Sequence, residues 1–266
     1  MKKRLMAAVL STAMAATMLL TGSISVQAAD AAAANDPAVE LIFTSVSVSG
    51  DSHTEAMYEF ADKVEELSGG SVTCKCYDNG SLFSSENEFD ALLNGDADLA
   101  YISFSTIATQ IPSYSMFASG YLFSSYEHMT SVLNGDIGLN KIRPQIEETL
   151  NIKPLSSFYL GSRVINTREK EINSYDDMNG LLLRMPNSEA WLFLGEALGA
   201  NPTPLSFSEL YTALQTGAVD AQDNPLPSIE SAKFYEVTKY IAITNHVVDS
   251  IMPCINGDTW NSMTEA

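Results

Sequence analysis

Two stretches of this chain punctuate the end of a helix in the same way: Ala91-Leu92-x-x-Gly95-x-x-Asp98 and Ala213-Leu214-x-x-Gly217-x-x-Asp220. In each, a glycine closes a helical pattern at the position where a left-handed backbone excludes most side chains. Leucine in a helix and glycine just past it are common choices, so the order of elements before each match gives the repeat its weight. Thr54 to Leu67 reads as a helix ending at Gly69-Gly70, followed by the alternating strand Val72 to Tyr77. A second helix, opened by the capping box Ser85-Glu86-Asn87-Glu88 and closed by Gly95, precedes a strand at Asp98 to Phe104. The grammar returns with a helix from Trp191 to Leu198 stopped by Gly199, a short segment carrying Pro202 and Pro204, and a helix from Ser208 to Thr216 stopped by Gly217. Strands alternating with helices predict a largely parallel sheet covered by helices, here as two similar α/β lobes. The boundary falls near Leu160-Gly161, giving a first lobe over 39–160, a second over 161–248, and a segment over 249–266 that returns toward the first. Facing α/β lobes make a cleft at the carboxyl ends of their strands, the usual place for a small ligand, and closure about a hinge would report its occupancy.

The chain opens on the basic Met1-Lys2-Lys3-Arg4, then an apolar run from Leu5 to Leu20 and a small-residue exit at Val26-Gln27-Ala28. The run is broken by Ser11 and Thr12 and is short for a span of ~20 apolar residues, so residues 1–28 read as a secretory signal peptide rather than an anchor. Ser23 stands where a lipoprotein needs cysteine, and the Ala-rich residues 29–38 suit a flexible leader. Cys74 and Cys76 share one face of a strand and Cys254 is distant, so this odd set implies small buried side chains rather than a disulfide framework. Removing residues 1–28 takes three of the 14 basic residues and none of the 33 acidic ones, leaving 11 against 33 and a net charge of −22. That field excludes nucleic acid as a partner. It would also repel an anionic ligand, so recognition of an acid has to come from a few local, partly desolvated cations.

Arg184 is such a cation, set in the apolar run Leu181-Leu182-Leu183-Arg184-Met185 that reads as a buried strand. A guanidinium there cannot lose its proton and needs an anion, either an acid of the chain or a ligand. Arg163 lies on what reads as the preceding strand of the same lobe, and by its residues alone is equally an ordinary solvated arginine. Asn224 precedes Pro225 in a segment that reads as a loop from Ala218 to Pro225, where asparagine ordinarily caps backbone. Phe207 opens the helix before it, with core packing as its ordinary role.

Together, Leu183-Arg184-Met185-Pro186, the stretch from Ser206 to Gly217, Gln222-Asp223-Asn224-Pro225 and Lys233-Phe234-Tyr235-Glu236-Val237-Thr238-Lys239-Tyr240 resemble the DctP-type substrate-binding proteins of TRAP transporters. The resemblance spans nearly all of residues 39–266. It implies a two-lobed periplasmic-binding-protein fold of type II-like α/β architecture, each lobe a mixed β-sheet flanked by helices, with the ligand cleft between them. By the same resemblance, Arg184 pairs with a ligand carboxylate, Arg163 is a second arginine reaching the ligand near the hinge, Asn224 hydrogen-bonds the ligand and Phe207 packs on it. A planar guanidinium suits the first role, because it gives a carboxylate two parallel charge-assisted bonds. The implied function is a monomeric, periplasmic receptor for an organic acid, a C4-dicarboxylate, uronate or other sugar acid, which it delivers to the membrane subunits of a TRAP permease. Two departures stand out: Ala221 replaces the usual glycine, and the sequence stops at Ala266 inside an expected helix, where family members continue, which implies a C-terminally truncated member.

Other chemistry finds no residues to carry it. His53, His128 and His246 show no metal-ligand spacing, and no nucleophile elbow, phosphate loop or dinucleotide fingerprint is present. His53 follows the first strand and could face the cleft, but reads rather as a solvated loop residue. No cofactor, metal site or catalytic residue is expected. The alternatives to the TRAP receptor are an ABC-type binding protein or ligand sensor of the same fold, and a secreted α/β enzyme.

Overall fold

The computed structural model describes residues 38–263. The signal peptide, nearly all of the leader and residues 264–266 therefore lie outside the described residues. The first set of elements runs β1 (Val39–Thr44), α1 (Ser52–Leu67), β2 (Val72–Tyr77), α2 (Glu88–Asn94), β3 (Leu99–Ser103), α3 (Phe104–Ile107), α4 (Tyr126–Leu133), α5 (Arg143–Leu150) and β4 (Ile152–Pro154). Next come β5 (Phe158–Thr167), β6 (Leu182–Met185), α6 (Glu189–Ala197), β7 (Asn201–Pro204), α7 (Leu210–Thr216), β8 (Ala221–Pro225), α8 (Leu226–Ser231), β9 (Tyr240–Ala242), β10 (Val248–Asn256) and α9 (Gly257–Ser262).

The strands lie in the order β2-β1-β3-β10-β5-β8-β6-β7, with β4 beside β10 and β9 beside β5. Either side of the centre the pattern mirrors itself. The βαβαβ unit β1–β3 is parallel, β6–β8 is parallel, and each meets one antiparallel strand, β10 or β5, which in turn pair with each other. Strand β5 serves both halves: Phe158 to Ser162 pair with β10, while Arg163 to Thr167 pair with β8. At the changeover, the β5–β10 register shifts between Asp249 and Ser250, and Gly161 takes φ +137° with its Cα facing Pro225 so closely that a Cβ would lie 2.3 Å from the proline Cβ. Two strands of the sheet thus form the joint between the lobes.

The pleat explains why each half buries two core layers. On β3, Ala100 and Ile102 face one apolar cluster, with Phe104 and Met129, while Leu99 and Tyr101 face another, with Phe43 and Met57. In the second half, Ile165, Leu183 and Met185 join Trp191 on one side, and Val164 joins Leu210, Leu214 and Phe234 on the other.

The sequence repeat has a structural cause. Gly95 and Gly217 take φ +78° and +80°, and their N–H groups turn back to Ala91 and Leu92, and to Ala213 and Leu214. Asp98 N–H donates to Ile42 O and its Oδ2 accepts from Ile42 N at 2.8 Å; Asp220 does the same with Leu182 at 3.0 Å. Each aspartate clips the end of its helix to the neighbouring parallel strand.

Several local expectations need correction. The Ser85-Glu88 capping box does not form: Ser85 Oγ donates to Glu86, a turn from Ser84 occupies those residues, and α2 starts only at Glu88. Helix α7 likewise starts at Leu210 rather than Ser208. The segment expected as a loop up to Pro225 is, over Ala221–Pro225, the fully buried strand β8, because pairing with β5 and β6 overrides local turn chemistry. His53 is not a solvated loop residue: it is buried in the first turn of α1, with Nδ1 3.0 Å from the capping Asp51. The three cysteines are free.

Candidate functional site

A cleft of about 410 Å³ opens between the two halves, and Arg163, Arg184, Phe207 and Asn224 all line it. The first wall comes from the β1–α1 turn (Val46, Ser47, Val48, Asp51), the residues around the start of α2 (Ser85, Glu86, Glu88, Phe89) and the end of β3. The second comes from β5, β6, α6 and β8. Ser231, at the end of α8, donates to Asp51 Oδ2 at 3.2 Å and so bridges the two walls.

Arg184 occupies the face of β6 opposite Leu183 and Met185, both fully buried, and is itself only 3% exposed. Its Nε donates to Leu205 O at 2.8 Å. Its two outer nitrogens have no hydrogen-bond partner and no carboxylate within ion-pair distance among the described residues. Burial lowers its pKa to about 10, against the attraction of Asp223 and with the added repulsion of Arg163. It remains charged at neutral pH, desolvated and without a counter-ion, on the wall of a cleft.

Arg163 is fixed in the opposite way. Its Nε donates to Asp223 Oδ2 at 2.7 Å, one outer nitrogen to Asp223 Oδ1 at 3.0 Å, and the other to Asp249 Oδ2 at 2.8 Å. Its guanidinium also lies over the Trp191 ring, 4.4 Å from the centroid. Burial pushes its pKa down, but the two aspartates more than reverse this. Asp223 is likewise buried, and the charge of Arg163 and contact with His246, whose Nε2 is 3.2 Å away, hold its carboxyl well below the usual range. Asp249 goes the other way: burial raises it, and Arg163, already shared with Asp223, compensates only in part. Of the two arginines, therefore, one is saturated and one is open.

Asn224 is drawn into this network by its place on β8. Its Oδ1 accepts from Arg163 at 3.3 Å and its Nδ2 donates to Gln222 Oε1 at 2.6 Å, leaving one amide hydrogen free. Phe207 sits half-buried just before α7, edge-on to Phe234 with centroids 5.6 Å apart, and presents the rest of its ring to the cleft. Hydroxyls, one open guanidinium and aromatic surface suit a small, polar, anionic molecule.

Sequence reasoning singled out none of Asp223, Asp249, Trp191 and Glu88 as site residues. Asp249, inside the apolar run Val247 to Met252, and Glu88, on the buried face of α2 with Ala91 and Leu92, each carried the same signal as Arg184: a charge placed where the pattern calls for an apolar residue. No group of three or more metal-ligating side chains is found among the described residues.

Residues 43–266 match the family model of the bacterial extracellular solute-binding proteins, family 7, named DctP. The chain is 35% identical over 205 residues to the sialic acid-binding periplasmic protein SiaP of Vibrio cholerae, covering 77% of this chain and 63% of that protein. Among solved structures, it is similar to a TRAP periplasmic solute-binding protein from Roseobacter denitrificans with bound 3-deoxy-D-manno-oct-2-ulosonic acid, at 39% identity and a TM-score of 0.80, over 86% of this chain and 75% of that one. It also resembles the sugar acid-binding protein DctPAm from Advenella mimigardefordensis in complex with galactonate, at 30% identity and a TM-score of 0.82, over 86% and 74% of the two chains. The chain thus spans just under two thirds of the length of the first curated relatives it matches.

Proposed function

Because this chain belongs to the DctP family of bacterial extracellular solute-binding proteins, family 7, we propose that it is an extracytoplasmic receptor that captures an organic acid and passes it to the membrane subunits of a TRAP-type transporter. The observation that carries the reading is Arg184, a buried guanidinium with two outer nitrogens open to the cleft. A ligand carboxylate supplies the missing counter-charge through two parallel hydrogen bonds. Asn224 offers its free amide hydrogen to the same ligand, Phe207 packs against its carbon skeleton, and Arg163 orients Asn224 and adds positive potential without giving up its own aspartates. Export through the segment 1–28 brings the protein to the periplasmic side, where it acts as a monomer. Among the described residues no helix is long and apolar enough to cross a membrane.

Members of this family are solute-binding proteins, and the proposed work of this one is binding and closure rather than turnover. Relatives support the ligand class: their names and complexes carry sialic acid, galactonate, 2,3-diketo-L-gulonate, β-D-glucuronate and succinate, all acids. The test is a melting screen against organic acids followed by calorimetry. An acid at 100 times its Kd should stabilise the fold by about 2.7 kcal/mol. Tight binding of a neutral sugar with no binding of its uronate would overturn the proposal.

A further inference from the structure

The two walls of the cleft differ in charge. Among the described residues that line it, Arg163 and Arg184 are the cations, and both stand on the second wall. Arg163 is spent on Asp223 and Asp249, so the cleft holds one open positive charge. The first wall carries the carboxylates Asp51, Glu86 and Asp90 together with the buried carboxyl of Glu88, and no lysine or arginine. An acid with two carboxylates could place one on Arg184, and its other end would meet carboxylates.

Glu88 is the unusual member of that wall. It is 4% exposed, it begins the buried face of α2, and its Oε1 has no hydrogen-bond partner. Glu86 and Asp90, two residues to either side, are solvent-exposed and need no partner, whereas a buried polar oxygen without one is costly to the fold and calls for an explanation. Burial raises its pKa to about 8 and so keeps the carboxyl protonated at neutral pH. A neutral carboxyl both donates and accepts, which matches a hydroxyl group and does not match a carboxylate that has no cation beside it.

Building on the reading of the cleft as an organic-acid site, we infer that Glu88 is a specificity-determining residue that hydrogen-bonds a hydroxyl of a polyhydroxylated monocarboxylate and, with the acidic first wall, turns away dicarboxylates. The ligand then lies with its carboxylate on Arg184 and its hydroxylated body toward α2. Sites built to pair with a hydroxyl discriminate strongly against analogues lacking it, because the buried partner is left unpaired.

The test uses the full chain and calorimetric titration with a panel of epimeric hexonates and hexuronates, with hexanoate as the hydroxyl-free monocarboxylate and succinate as the dicarboxylate. Wild type is expected to bind at least one panel member more than about 30-fold tighter than hexanoate or succinate. Glu88→Leu should weaken that ligand by roughly 10- to 100-fold while leaving hexanoate unchanged; Glu88→Gln, which keeps a donor and an acceptor, should stay within about fivefold. Glu88→Met gives the same comparison should the leucine variant not fold. Succinate binding as tightly as the best hydroxy acid overturns the inference and leaves the receptor reading intact. So does an equal loss for hexanoate and the hydroxy acid in the apolar variants, which would make Glu88 a structural residue. Failure of wild type to bind any acid overturns both.

Discussion

Replacing Arg184 separates binding from folding, because the structure assigns the two effects opposite signs. In the unliganded protein the guanidinium is buried and, among the described residues, has a single hydrogen bond, to Leu205 O, and no anion. Its pKa is lowered from 12.5 to about 10, and a shift of that size corresponds to roughly 3 kcal/mol of cost for holding the charge in the fold. The sign follows from linkage: a base with a depressed folded pKa destabilises the fold at every pH below that value, and the cost fades only as pH rises above about 10. Arg184→Met removes the charge and keeps most of the volume, so the empty protein should melt at the same temperature or higher. With the proposed ligand bound the sign reverses, since its carboxylate would lose the one open cation among the described lining residues and be left desolvated, at a cost of roughly 3 to 5 kcal/mol or more than about 100-fold in Kd. Arg184→Lys should recover only part of this, as an ammonium cannot make the paired contact. Melting curves and calorimetric Kd values on the same preparations decide the matter. An Arg184→Met protein that binds its acid normally refutes the anchoring role, and one that binds normally after a large fall in melting temperature shows Arg184 to be a structural cation.

Asp223→Asn should be strongly destabilising, by about 3 to 5 kcal/mol, because it strips the buried Arg163 of the carboxylate held at 2.7 and 3.0 Å; a loss below about 1 kcal/mol in chemical denaturation would contradict this. With its folded pKa depressed, Asp223 stabilises the protein above its ordinary value of 3.8 and loses that contribution as pH falls, so the wild type should lose its advantage over the asparagine variant in acid. Glu88→Gln has the opposite pH dependence: the wild-type carboxyl stabilises below its ordinary 4.5 and becomes a penalty as pH rises toward about 8. The glutamine variant should therefore be more stable by about 3 kcal/mol at pH 7, with the gap closing near pH 4.5, and parallel pH profiles would count against a buried neutral acid. Gly161→Ala should destabilise by at least about 1 kcal/mol, since its φ of +137° disfavours a side chain and a Cβ would strike Pro225; an unchanged melt would mean that the joint between the lobes yields freely there.

The two lobes were legible because what specifies them is short-range. Gly95 and Gly217 end helices by a backbone conformation that few other residues accept, and Asp98 and Asp220 follow three residues later, so the repeat could be read without knowing what either aspartate touched. The joint was not legible in the same way. That β10 returns between β3 and β5 depends on pairings such as Val248 with Ser162 and Met252 with Ile102, across 86 and 150 residues, and alternating apolar residues carry no record of their partner. Local signals failed where such pairing overrode them: Asn224-Pro225 has the chemistry of a turn, yet β5 claims it as strand.

At the site the same division decides what could be read. Arg184 was conspicuous because it breaks an apolar strand, and a charge in such a place asks for a partner from somewhere. Arg163 sits in the polar company of Ser162 and Asn166, and only the fold reveals that Asp223 and Asp249, 60 and 86 residues away, have already taken its hydrogen bonds. Two arginines that look equivalent in sequence thus take unequal parts. The paired one builds the wall, and the unpaired one is left with a charge that no carboxylate among the described residues neutralises. Since an unpaired buried charge costs the empty protein stability, the proposed ligand carboxylate would supply its counter-ion, and the binding of that anion would relieve the cost.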